Sequence, residues 1–240
     1  MKPILLAATL LLIGFSSCRY VGGKRVKGNG NVTTQERQTP SFNGVETRGN
    51  FDLYVTTGTA TSVKVEAEDN LQQYIDVYVE GDKLIVKTDE GFWLRPKRNM
   101  KIYVTSPGFN HLSLSGSGNI IGQNKITDSS RIYVGISGSG DVRLEVDAPS
   151  VEANITGSGN ITLSGSTKNF SADTRGSGDI KAFDLKTEES AVDIAGSGNA
   201  EVFASVKLKV NVAGSGDVKY KGAPQVDSHV AGSGGVKKVD

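Results

Sequence analysis

A four-residue string, Gly-Ser-Gly followed by Asn or Asp, recurs through the second half of the chain and restricts its fold more than any other feature. Copies begin at Gly116, Gly138, Gly157, Gly176, Gly196 and Gly214, and a last copy, Gly232–Gly235, closes on Gly. Successive starts lie 22, 19, 19, 20, 18 and 18 residues apart. A repeat of this length means a stack of like units, none of which can bury its apolar face alone. Around each corner apolar and polar residues alternate. Leu112 and Leu114, Val134 and Ile136, or Val192 and Ile194 lead in; Val142 and Leu144, or Ile161 and Leu163, lead out. Alternation with period 2 on both sides reads as one strand entering the corner and one leaving it. Val146, Phe170, Leu185 and Val206 are assigned to a third, less regular side. The expected fold is all-β: a single-stranded parallel β-helix of ~18–22-residue coils, right-handed by the usual winding of parallel crossovers. A leucine-rich repeat has a similar period, but Asn119 follows Leu114 by five residues rather than three, and nothing between corners reads as helix.

The first 40 residues have a different character. Lys2 precedes the apolar run Ile4 to Ile13, which is too short for a ~30 Å bilayer core but suits a signal peptide. Gly14-Phe15-Ser16-Ser17-Cys18 then resembles a lipobox, in which small residues precede a cysteine that becomes acylated, although Phe15 replaces the usual Leu. Cys18 is the only cysteine, so no intrachain disulfide competes for it. Residues 1–17 are read as a lipoprotein signal peptide and 18–40, polar and Gly-rich, as a flexible tether. Residues 41–240 are read as one β-helical domain, with 41–110 an irregular capping part and 111–240 regular coils. Gly49-Asn50 is a degenerate corner within the capping part. The expected address is an exported, outer-membrane-anchored lipoprotein, facing the periplasm or the cell surface. Lys+Arg number 27 against 26 Asp+Glu, a balance that excludes a basic field for nucleic acid and gives no overall steering toward anionic lipid.

Several of these segments together resemble the putative auto-transporter adhesin, head GIN domain family. They are Phe42-Asn43-Gly44-Val45, Gly49-Asn50-Phe51-Asp52-Leu53, the Leu84-Ile85-Val86 strand, Val104-Thr105-Ser106-Pro107 and the serial corners. The resemblance covers about residues 41–236. It implies a β-helical fold and an adhesin role, a type common in Bacteroidetes lipoproteins.

Two groups of residues are candidates for chemistry. Asn119, Asp141, Asn160, Asp179, Asn199 and Asp217 form a ladder down one edge once the coils stack. As a site, the ladder would offer carboxylates about 10 Å apart at alternate coils, to be compared with the ~6.5–9.5 Å of inverting glycosidases. As structure, Asn and Asp suit turns because their side chains bond nearby backbone N–H groups, and alternation keeps like charges apart. The second group is Gly91–Arg98, in which Phe92, the sole tryptophan Trp93, Arg95, Lys97 and Arg98 are either a ligand-contact loop or a cap over the end of the core. His111 and His229 stand far apart in sequence, and no CxxC, HExxH, GxSxG or phosphate loop occurs. No catalytic residue, metal ligand or cofactor is therefore assigned. The expected function is a non-catalytic envelope adhesin or interaction scaffold. Its expected partners are the membrane, through the N-terminal lipid, and glycans or envelope proteins. The alternative is a glycan-binding or carbohydrate-active envelope protein.

Overall fold

The computed structural model describes residues 23–240; the signal segment and Cys18 lie outside the described residues. The chain winds as a parallel β-helix. On the face entering the corners, Gly44–Gly49, His111–Gly116 and Arg131–Gly138 pair in parallel, one above the next. The stack continues through the later halves of Asp141–Gly157, Asn160–Gly176 and Ile180–Gly196 to Lys207–Gly214 and Gln225–Gly232. The face leaving the corners runs from Phe51–Thr57 through Asn119–Gly122 to Ala200–Ala204, Val218–Gly222 and Val236–Lys238. The corner glycines stay in register throughout, Gly49 beside Gly116 and Gly157 beside Gly176.

The alternation seen in the sequence becomes the core. Leu112, Leu114, Ile120, Val134, Val142 and Ile161 are buried, each packed over its counterpart in the coil before. Thr174 occupies the same inward position as Ile155 and Ile194, is 1% exposed, and its hydroxyl has no hydrogen-bond partner among the described residues. An unsatisfied buried hydroxyl is destabilising, so Thr174→Val is expected to raise the denaturation midpoint, by about 1 kcal/mol of stability. An unchanged or lowered midpoint would show that the hydroxyl has a partner in solution.

The capping part inverts the order of coils. The coil formed by Lys83–Thr88 and Met100–Ser106 lies on the outer side of the coil formed by Gly44–Gly49 and Phe51–Thr57, which precedes it in the chain. Ser62–Glu68 then pairs antiparallel with Met100–Ser106, Val32–Glu36 with Ser62–Glu68, and Ile75–Glu80 with Lys83–Thr88. Both edges of that outermost coil are thereby covered, and the edges left at that end are the polar strand Val32–Glu36 and the half-exposed Ile75–Glu80. At the other end Gln225–Gly232 is exposed along its whole length.

Two expectations are corrected. Residues 24–36, placed in a flexible tether, form two strands: Lys24–Lys27 pairs in parallel with Phe92–Arg95, and Val32–Glu36 completes the cap. The buried Gln72 fastens this segment, donating to the carbonyls of Thr33 and Val65 at 2.9 and 3.0 Å while its Oε1 accepts from Arg37. Backbone pairing holds these strands, and their outward side chains leave little hydrophobic periodicity to read. Val206, assigned to the third side, is 55% exposed. The coil there is shortened to a tight turn at Ser205-Val206, whose backbone N–H groups donate to the carbonyls of Thr187 and Glu188. Ala204 takes the inward place, and the Thr187 and Ser190 hydroxyls both donate to the Phe203 carbonyl.

Candidate functional sites

The corner ladder is a closed chain of hydrogen bonds. Asn119 Nδ2 donates to Asp52 Oδ1 at 2.7 Å, and Asn119 Oδ1 accepts from the backbone N–H of Asp141 at 3.3 Å. Asn160 repeats this between Asp141 and Asp179, at 2.8 and 3.4 Å. Asn199 repeats it between Asp179 and Asp217, both at 3.0 Å, and Asp217 accepts from Gly235 N–H at 2.8 Å. Each amide thus donates to the carboxylate below and accepts from the backbone above, an arrangement that a column of Asp alone could not make. Sequence reasoning missed two rungs at the capped end, Asp52 and Asn99, whose Nδ2 donates to Asp52 Oδ2 at 2.9 Å. Asp52 was discoverable, standing three residues after Gly49 as Asn119 does after Gly116. Asn99 follows a long excursion and carries no such signal.

This geometry predicts that Asn160→Asp is harmful. It places three carboxylates on successive coils and removes the amide donor to Asp141, at an expected cost of about 1–3 kcal/mol at pH 7. Crowded carboxylates bind protons more readily when folded than unfolded, so the deficit should shrink as the pH falls from 7 towards about 4 and be smallest below it. A deficit that is the same at pH 7 and pH 3.5 would contradict the ladder.

The second candidate is a two-stranded tip. Lys24–Lys27 and Phe92–Arg95 pair in parallel, with Arg25 beside Trp93 and Lys27 beside Arg95. Val26 and Leu94 turn inward against the core, and Phe92 packs on Tyr74 with ring centroids 4.5 Å apart. The alternation then sends Arg25, Lys27, Trp93 and Arg95 outward. Trp93 is 59% exposed, so the capping role belongs to Phe92 and Leu94 and not to the tryptophan. Lys97 and Arg98, also exposed, extend the basic surface. The buried carboxylate of Glu68 pins the segment by accepting from the Lys97 backbone N–H at 3.0 Å, while Gly28, itself bonded to the Arg95 carbonyl, lies directly on it. Sequence reading marked Phe92, Trp93, Arg95, Lys97 and Arg98 but not Lys24, Arg25 and Lys27, which only the strand pairing brings beside them.

The two histidines do not meet. His111 stacks on Tyr133 at 4.7 Å, and burial, with Lys83 nearby, pushes its pKa down. His229 lies on the exposed terminal strand. Among the described residues no three of His, Cys, Asp or Glu are grouped to hold a metal ion, and no helix is long and apolar enough to cross a membrane.

A stack of parallel coils held by a polar ladder and capped at one end defines the class of β-solenoid proteins. The chain belongs to the family described as putative auto-transporter adhesin, head GIN domain, whose profile matches residues 41–224. Solved structures agree on the fold. A putative adhesin from Bacteroides fragilis is similar with a TM-score of 0.83 at 24% identity, over 89% of this chain and 100% of that one. A putative lipid binding protein from Parabacteroides distasonis gives 0.76 at 29% identity, over 90% and 100%. A putative adhesin from Parabacteroides merdae gives 0.70 at 23%, over 90% and 99%. No curated protein matches the sequence.

Proposed function

We propose that this protein is a non-catalytic cell-envelope lipoprotein, anchored in the outer membrane through an acyl group on Cys18, whose β-helix is an adhesin or interaction scaffold. The observation that carries this reading is the closed ladder. The repeating Asn side chains bond to the coils below and above, and each repeating Asp holds the next coil through its Oδ1, so these most regular polar groups serve the stack. The adhesin description of the family supports the same reading. The lipid-binding description of the Parabacteroides distasonis relative fits a protein working at a membrane. Glycans or envelope proteins are the partners such a surface would meet.

One observation favours a second reading, a glycan-binding or carbohydrate-active protein. A shallow polar recess on the leaving face is lined by Asp179, Lys181, Asn199, Glu201, Asp217 and Lys219. Its acids are engaged, however: Asp179 and Asp217 in the ladder, and Glu201 with Lys219 at 3.9 Å.

Protease treatment of intact and permeabilised cells tests the proposal. Cleavage on intact cells, with weaker adherence of cells carrying Cys18→Ala, is the expected result. Protection until permeabilisation would remove the adhesin reading. Release of reducing sugar by the purified protein, lost in Asp179→Asn, would replace the proposal with the carbohydrate-active reading.

A further inference from the structure

We propose that the tip built from Lys24–Lys27 and Phe92–Arg95 is a membrane-docking face that receives the phosphate headgroups of anionic lipid and seats Trp93 at the bilayer interface. Its orientation rests on the reading of Cys18 as the anchor; its chemistry stands on the tip alone. Lys24, Arg25, Lys27, Arg95, Lys97 and Arg98 are six of the chain's 27 Lys and Arg, gathered from two segments that contain no Asp or Glu. Among the described residues none of the six forms an ion pair with a carboxylate, whereas Arg48, Lys87, Lys101 and Arg131 elsewhere on the surface do. Arg25, Lys27, Arg95, Lys97 and Arg98 surround one exposed indole, with Lys24 on the Val26 side of its strand, and a cationic face of this kind matches a layer of phosphates overlying acyl chains. Tryptophan prefers that interface because its body is apolar and its N–H is polar. A sugar site built on Trp93 would call for acceptors as well as donors. The amides around the tip are already bonded within the fold, Asn70 to the Lys27 carbonyl, Asn29 to Asp69 and Asn99 to Asp52.

The path of the chain points to the same face. Gly23 lies against the Trp93 ring, so closely that a Cβ there would fall 2.0 Å from Cδ1. Five residue steps separate it from Cys18, which therefore cannot lie farther than roughly 18 Å from the tip. Acylation of Cys18 would bring this face to the bilayer, ahead of the corner ladder or the open end.

Trp93 is the chain's only tryptophan and so reports on its own docking. Full-length protein, purified with its native N-terminus, is reconstituted with vesicles of phosphatidylcholine alone or with phosphatidylglycerol at 7:3. The expected result is a blue shift of Trp93 emission, and quenching by lipid brominated near the headgroup, only with phosphatidylglycerol. The triple variant Arg25→Glu, Lys27→Glu, Arg95→Glu, checked for an unchanged melting temperature, should lower the docked fraction about 100-fold or more, at roughly fivefold per cation. Emission that stays water-like in both vesicles while the protein floats with them would overturn the docking face and leave the anchor reading intact. If Cys18 proves unmodified and the protein does not float with phosphatidylcholine, the anchor reading fails; the response of Trp93 to added phosphatidylglycerol vesicles then decides docking by itself, and no response overturns it. A response to inorganic polyphosphate without one to vesicles also overturns it.

Discussion

Replacing Gly176 with alanine should cost on the order of 4 kcal/mol, a large share of the roughly 5–15 kcal/mol that holds a domain folded. Two effects act at once. Gly176 has φ +132°, a conformation that L side chains rarely adopt, and an added Cβ would lie 2.2 Å from the carbonyl oxygen of Gly157 in the coil below. That carbonyl cannot retreat, because it accepts the backbone N–H of Ser177 at 2.9 Å, and Gly157 is packed in the same way on Gly138. Ser177→Ala, at an exposed corner side chain, is the matched control and should change stability by less than about 0.5 kcal/mol. Urea denaturation of both variants measures the difference. A loss below about 1 kcal/mol in Gly176→Ala would mean that the corners do not set the coil spacing.

Phe51→Gly should lower stability by about 4–5 kcal/mol, even though it converts a degenerate corner into the repeated motif. Gly49 is in register with Gly116 and Asp52 with Asn119, so Phe51 stands where Gly118 stands one coil later. At Gly118 a Cβ would fall 1.9 Å from the Phe51 carbonyl oxygen, which leaves no room for a side chain. The coil beneath Phe51 is different. Between Thr88 and Met100 the chain makes the excursion that carries the tip instead of a tight corner, and the Phe51 ring fills the space left there, fully buried and paired with Met100. Gly118→Phe, the reverse exchange, should abolish folding. Equal tolerance of Gly and Phe at position 51 in denaturant titrations would contradict this packing.

These two residues show what could be read from the chain and what could not. Repetition with period-2 alternation made the coils legible, because a strand's buried face is written directly in its sequence. The inward places of Leu114, Ile136 and Val142 follow from that alone. Val206 is apolar yet exposed, because two residues fewer in its coil turned the chain early, and such a change leaves the composition untouched. The cap strands at 24–36 were illegible for another reason. They are held by backbone hydrogen bonds and by Gln72, and a polar edge strand looks like a tether when only its hydropathy is seen. The ladder was recognised as a row of acids and amides, but its logic, donor below and acceptor above, required the register. The tip required most. The basic residues of 91–98 stood out from a balanced chain, but only the strand pairing shows that Arg25 and Lys27 stand beside Trp93 and Arg95. Gly23, the first described residue, lies against the indole of that face.

The account turns on a scaffold attached to the envelope by its N-terminus, and intact-mass analysis of the protein from membrane and soluble fractions tests that most directly. It predicts that the chain begins at Cys18, carries acyl groups there and partitions with the outer membrane, and that Cys18→Ala abolishes both the modification and the partitioning. A chain that retains residues 1–17, or begins beyond Cys18, and is recovered unmodified in the soluble fraction would contradict it.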